Sequence, residues 1–264
     1  MARVTQWYEA YIFDLDGTVY LGDELLPEAG ETIQALRDKG KRTLFLSNNP
    51  TRPRAAYAQK LTKLGLPTPD SDVINSSYVM VHFLQQRMPG ANLFVVGETS
   101  LKDELIAAGF HLTDEAEAVE AVIASFDRTF DYHKLQVSFD AINAGARFFA
   151  TNGDRYCPVP GGGEPDAAAM IAAIEACTDT KVEAIVGKPS HYTAETILHL
   201  AGVPAEQCVM TGDRWETDVL LGLRAGMAGA LTLTGATSLA DMEDVEVEPT
   251  YIINHLGELL PDYE

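Results

Sequence analysis

Asp14 and Asp16 stand at the end of an apolar run, in "AYIFDLDGT", with Gly17 and Thr18 directly behind them. Residues i and i+2 of an extended chain share a face, so both carboxylates can enter one pocket. Gly17 lets the chain turn away sharply. Carboxylates this close repel unless one is protonated or a cation lies between them. Asp213 and Asp218, in "CVMTGDRWETD", follow another apolar run and add to the same excess of negative charge. A hard divalent cation with oxygen ligands resolves it, and Mg²⁺ suits a few carboxylates together with waters and a substrate phosphate. His82, His111, His133, His191, His199 and His255 show neither HxH nor HExxH spacing, so no site for a softer metal competes. Lys188, after "AIVG", offers an ammonium that can neutralise a phosphoryl oxygen. Ser47, Asn48 and Asn49, after "TLFL", offer a hydroxyl and amides as donors to the same group. Each of these has a plainer explanation taken alone. DG and SNNP are turn sequences, a lone GK is a surface lysine, and acids such as Asp213 and Asp218 suit the start of a helix. Four strand ends carrying such groups together point to one pocket rather than four turns.

Such a pocket needs a scaffold that gathers distant segments. The chain alternates short apolar runs with helical patterns: "AYIFD" then "EAGETIQALRDKG", "RTLFLSNN" then "RPRAAYAQKLTKLG", "NLFVVGE" then "SLKDELIAAG", "AVIASF" then "YHKLQVSFDAINAG". "RFFATNGD" leads to "DAAAMIAAIEA", "EAIVGK" to "YTAETILHLAG", and "CVMTGD" to "ETDVLLGLRAG", with "GALTLTG" last before a weaker tail. This alternation predicts an α/β protein built of βαβ units with a mainly parallel sheet. Eight or more strands suit two α/β layers better than one. In an open parallel sheet ligands sit beyond the carboxyl ends of the strands, which is where the polar groups gather. The strip "GDRYCPVPGGGEPD" (153–166) is rich in Gly and Pro and reads as a loop.

The totals narrow the function classes. A length of 264 residues with 46% hydrophobic residues supports one large core or two modest ones. A formal net charge of −20 repels nucleic acid and anionic membranes. It repels phosphorylated molecules too, so a phosphate site must supply its own local positive charge. The acidity fits a salt-adapted source as well as an ordinary acidic bacterial enzyme. No apolar run approaches the roughly 18 residues of a membrane span, and "MARVTQWYEAY" lacks the plan of a signal peptide. Cys157, Cys177 and Cys208 are far apart and odd in number, which reads as reduced thiols in a cytoplasmic protein.

In order along the chain, "DLDGTV", "LSNN", "VGKPS" and "TGDRWETD" resemble the four motifs of the haloacid dehalogenase-like hydrolases. The nearest branch is the one with a large α/β cap between the second and third motifs, subclass IIA. It holds 4-nitrophenyl phosphatases, phosphoglycolate phosphatases, pyridoxal phosphate phosphatases and ribonucleotide monophosphatases. The likeness covers nearly the whole chain, and "TNGDRYCP" resembles the TNxDxxxP stretch of that branch. It implies a Rossmann-like core over 1–78 and 183–264 and an α/β cap over 79–182, with hinges near "NSSY" and "TDTKVEA". It implies a Mg²⁺-dependent phosphatase of small phosphorylated metabolites. Asp14 is then the nucleophile, and Asp16 the general acid and later base. Asp14, the Asp16 backbone carbonyl and Asp213 hold the metal, and Asp218 supports its water shell. Ser47 and Asn48, with Thr18 and Asn49 beside them, orient the phosphoryl group, and Lys188 fixes Asp14 and the transferring group. In the cap, Thr151, Asn152, Asp154 and Arg155 choose the substrate. Arg155 suits a carboxylate or second phosphate and Asp154 a hydroxyl-rich or cationic substrate, so the two point opposite ways. His191 reads as a polar residue ahead of a helix and Trp215 as packing. Dimers through the cap occur in the family, and the resemblance leaves a homodimer open. A phosphomutase of the same superfamily would share Asp14 and Asp16. A receiver-type signalling module would be about half this length, with no DGT after its acceptor aspartate.

Overall fold

The computed structural model describes residues 4–159, 161–243 and 245–261. Residues 1–3, at the start of the segment weighed as a signal peptide, and Pro160, within the predicted loop, lie outside them. The chain divides into two compact units, one formed by 1–47, 54–74 and 188–264, the other by 48–53 and 75–187.

The first unit is built on a six-stranded sheet. Its strands lie in the order Tyr251–Ile253, Ala228–Thr232, Cys208–Gly212, Ala10–Asp14, Arg42–Ser47, Val73–Asn75. The Ala10–Asp14 strand is parallel to both of its neighbours. From it the chain steps one way to Arg42–Ser47 and returns on the other side to Cys208–Gly212, so the winding reverses at this strand. Such a reversal opens a crevice at the carboxyl ends, and here that end is Asp14. All five residues of the strand are buried, the pattern of a central strand covered on both faces.

The helices flanking this sheet follow their apolar spacing. In the helix Ala29–Asp38 the buried residues are Ala29, Thr32, Ile33 and Leu36, one stripe at i, i+3, i+4 and i+7. Ile33 and Leu36 are wholly buried in a cluster with Tyr11, Phe13 and Phe45 from the sheet. Ile33→Ala should therefore cost about 2–5 kcal/mol, the range for a large-to-small change in a closed core. The check is the shift of a chemical denaturation midpoint at unchanged slope.

The second unit has its own five-stranded sheet, ordered Ala184–Ile185, Arg147–Ala150, Ala121–Ala124, Asn92–Val96, His111–Leu112, with parallel pairing throughout. Phe148, Val122, Val96 and Ile174 close its core.

Three local expectations change. The strip 153–166 carries an antiparallel hairpin, Tyr156–Val159 against Gly162–Pro165. The glycines that read as a loop instead serve the hairpin, Gly161 in the left-handed region at φ 86° and Gly162 and Gly163 in its thin second strand, where Gly163 lies so close to Tyr156 that a Cβ would meet the ring at 2.7 Å. At "NSSY", read as a hinge, Asn75 caps the helix Ser76–Arg87 by accepting the Tyr78 N–H at 2.9 Å, so the segment is the start of a helix. The weaker tail contributes a sixth strand, Tyr251–Ile253, tied back by a 2.9 Å hydrogen bond between the Tyr251 and Tyr8 hydroxyls.

Candidate active site

Two neighbouring strand ends set the level of the site. Phe13 pairs with Thr211 and Asp14 with Leu46, so Asp213 lies two residues beyond the last residue of its strand that pairs with Asp14's strand, and Ser47 one beyond. Asp218 comes from a wide helical turn, Trp215–Val219, in which the Val219 N–H reaches back to the Arg214 carbonyl. Turns of this π type recur at functional sites because they re-aim a side chain within a helix. Gly212 is part of the same arrangement, since a Cβ there would lie 2.3 Å from the Asp218 carboxylate. Lys188, buried in its turn, donates from Nζ to Asp14 Oδ1 and, at 2.7 Å, to Asp218 Oδ1. Asp14, Asp213 and Asp218 each present an oxygen within 4.8 Å of the others.

One ammonium faces three buried carboxylates, and the titration of the groups reflects that. Burial pushes the Asp14 carboxyl well above the usual carboxylate range; the Lys188 charge opposes this, and Asp218 and Asp213 add to it. Burial also raises Asp213, aided by Asp218, while the Ala236 N–H works the other way. For Lys188 burial alone would depress the ammonium, but Asp14 and Asp218 outweigh it and hold the group above its ordinary value. The cluster is short of positive charge.

The donor set fits Mg²⁺. All three groups are hard oxygen donors. Asp213 is 3% exposed, and its Oδ1 is buried with no hydrogen-bond partner among the described residues. A buried, unsatisfied carboxylate oxygen is costly unless a cation or a proton completes it.

The other expected residues sort by position. Asp16 is exposed, lies outside the three-carboxylate group, and has the Tyr20 hydroxyl 3.5 Å from its Oδ2. Gly17 is in the left-handed region at φ 88°, and a Cβ on it would meet Asp213 Oδ2 at 2.6 Å. Thr18 is wholly buried, with its hydroxyl unpartnered among the described residues. Ser47 is buried at the strand end.

Asn48 and Asn49 belong to the second unit. Asn48 donates to Asp154 Oδ2 at 2.9 Å, and the Asn49 amide is 3.8 Å from Cys157 Sγ. Thr151 and Asn152 have no exposed surface. The Thr151 hydroxyl donates to Ser125, and Asn152 donates to Asp154 and Asp166, each at 3.0 Å. These two side chains thus organise the loop that carries Asp154. Arg155 is exposed at the root of the hairpin. His191 opens the helix His191–Ala201, and the Trp215 indole N–H is bonded to the Val247 carbonyl.

A fifth strand end was not read from the sequence. The turn after Ala228–Thr232 brings the Ala236 N–H to Asp213 Oδ2 at 2.6 Å and the Thr234 hydroxyl to the Gly17 carbonyl at 2.6 Å. The signal was "TGAT" directly after "ALTL", the same polar strand end used for the other four.

Comparison with known proteins follows the same lines. The family model for haloacid dehalogenase-like hydrolases matches residues 11–111, and a second model, of HAD-hydrolase-like proteins, matches 185–259. The sugar-phosphatase AraL of Bacillus subtilis is 37% identical over 94% of this chain and 90% of its own length. The 5'-nucleotidase YutF of the same organism is 32% identical over 96% of this chain and 98% of its own. The crystal structure of a 4-nitrophenylphosphatase from Thermotoga maritima superposes with a TM-score of 0.91, at 36% identity and 96% coverage of both chains. The sequence motifs, the doubly wound sheet and these relatives agree: the chain belongs to the haloacid dehalogenase-like hydrolases, in their NagD-like subclass IIA, and is a phosphatase.

Proposed function

We propose that the protein is a Mg²⁺-dependent phosphomonoesterase of small metabolites that works through an aspartyl phosphate on Asp14. The observation that carries this reading is the buried Lys188 bridging Asp14 and Asp218 beside the unsatisfied Asp213 Oδ1. In the first step a carboxylate oxygen of Asp14 forms a bond to phosphorus as the bond to the leaving alcohol oxygen breaks. Asp16 gives that oxygen its proton, since an alkoxide leaves poorly without one. In the second step water attacks the phosphorus of the aspartyl phosphate, Asp16 takes its proton, and the bond to Asp14 breaks. Inorganic phosphate leaves and the Asp14 carboxylate is restored. The Lys188 ammonium keeps Asp14 aimed and stabilises charge on the phosphoryl oxygens, and the Ser47 hydroxyl donates to them. A Mg²⁺ held by Asp14 and Asp213, with the Asp16 carbonyl and Asp218 in support, would supply the missing positive charge.

The relatives are named for sugar phosphates, nucleotides, phosphoglycolate and 4-nitrophenyl phosphate. Their shared chemistry is a small phosphomonoester, which we take as the substrate class. Purified protein should release phosphate from 4-nitrophenyl phosphate and from a panel of such metabolites with Mg²⁺, and stop with EDTA. Release unaffected by EDTA would sink the metal role. Labelling of the chain without release to water would indicate transfer to another acceptor.

Metal binding should also show as stability. A ligand at 100 times its dissociation constant adds about 2.7 kcal/mol. Because Asp14 and Asp213 are raised in the folded chain, that chain binds more protons than the unfolded one above the usual carboxylate range. The metal-free protein then loses stability as pH rises through those folded values, and the Mg²⁺ gain grows in the same direction. Melting curves with Mg²⁺ and with EDTA at several pH values test this; a gap that is absent, or that shrinks as pH rises, would contradict it.

A further inference from the structure

Asp213 is held by one carboxylate oxygen and left open at the other. Its Oδ2 accepts the Ala236 N–H at 2.6 Å, and its backbone carbonyl accepts the Thr237 N–H at 3.0 Å. The Thr237 hydroxyl oxygen accepts the Trp215 N–H at 3.2 Å. Thr234 donates to the Gly17 carbonyl at 2.6 Å, and its hydroxyl oxygen lies 3.0 Å from that of Thr232. The turn 234–237 therefore fastens the end of the Ala228–Thr232 strand to the chain beyond Asp213 and to the turn beyond Asp16. The backbone at Gly235 and Gly17 packs against Oδ2. A Cβ on Gly235 would lie 2.0 Å from it, and one on Gly17 2.6 Å. Oδ1 is buried with no hydrogen-bond partner among the described residues.

We propose that the Thr234–Thr237 turn is a carboxylate clamp that makes Asp213 a one-oxygen ligand and so sets which divalent cation the cluster accepts. The proposal rests on the metal reading above. Mg²⁺ demands near-octahedral geometry at short distances and keeps several waters, whereas Ca²⁺ takes six to eight oxygens and uses carboxylates through both. A carboxylate whose Oδ2 is bonded to Ala236 and boxed by Gly17 and Gly235 cannot turn to offer both oxygens. Loosening the turn frees Oδ2 and favours the larger ion. Thr234 is a positioning residue here, acting through Gly17 and the turn.

The test is calorimetric titration of the metal-free full chain with MgCl₂ and, separately, CaCl₂. Wild type, Thr234→Val and Thr234→Ser are compared. Outer contacts of metal ligands typically alter affinity by about 10–100-fold. Thr234→Val should shift the ratio of Mg²⁺ to Ca²⁺ affinity toward Ca²⁺ by about tenfold, and Thr234→Ser, which keeps the hydroxyl, should restore it. Equal weakening of both ions, or an unchanged ratio in a metal-binding protein, would overturn the clamp alone. No binding of either ion by wild type would overturn the metal reading and the clamp with it.

Discussion

Asp14→Asn should leave a folded protein with turnover lower by about 10⁴-fold or more, the scale of losses when a covalent nucleophile is removed. The amide keeps the shape of the carboxylate but is a poor nucleophile, and it cannot form the acyl phosphate. The strand around it is wholly buried and needs no charge at this position to form. The change removes one of three crowded carboxylates, so circular dichroism and melting should show an intact fold while phosphate release disappears. Asp16→Asn gives the necessary contrast. It should lower turnover by about 10²–10⁴-fold, the usual worth of a general acid and base, and it should leave phosphorylated Asp14 to accumulate when the leaving group needs no proton. Turnover retained by Asp14→Asn, with its identity verified by mass, would remove Asp14 from the chemistry.

Lys188→Met has the second large effect, and it acts on both stability and rate. The lysine side chain is 4% exposed and reaches two carboxylates that are themselves buried. Removing one partner of a buried ion pair leaves uncompensated charge and costs about 3–5 kcal/mol. Here that cost should appear in the metal-free protein and be smaller with Mg²⁺, which replaces part of the lost positive charge. Turnover should stay low even when Mg²⁺ restores the fold, because nothing then aims Asp14 or meets the phosphoryl oxygens. Melting curves with and without Mg²⁺, beside phosphate release, separate the two effects. A variant as stable and as active as wild type would show that the lysine is only a strand-end residue.

The groups proposed to carry chemistry stand out in the sequence because they sit at strand ends and are chemically unlike their surroundings. Asp14 and Lys188 each follow a short apolar run, and periodicity alone predicts the parallel sheet that collects such ends. Less visible was anything that depends on close approach. Gly235 and Ala236 look like ordinary turn residues, and only the 2.6 Å hydrogen bond to Asp213 marks the turn as part of the site. Asp218 is expected beside the metal from its motif, but its placement there depends on a π turn that no residue pattern announces. The loop residues Thr151 and Asn152 are polar and motif-like, so the sequence suggests contact with substrate. The structure instead buries them in a network with Ser125, Asp154 and Asp166, because a buried polar loop must satisfy its own hydrogen bonds first. The hairpin within 153–166 was missed for the opposite reason. Its strands are poor in β-branched residues, and pairing alone defines them.

Whether phosphate passes through Asp14 can be read directly from the enzyme in mid-turnover. The Asp16→Asn variant would be mixed with 4-nitrophenyl phosphate and Mg²⁺, quenched in acid within the first turnover, and digested for peptide mass spectrometry. A single added phosphoryl group should appear on the peptide holding Asp14 and be absent when Asp14 is also changed to Asn. Phosphate released at the wild-type rate with no such adduct, or an adduct on another residue, would contradict passage through Asp14.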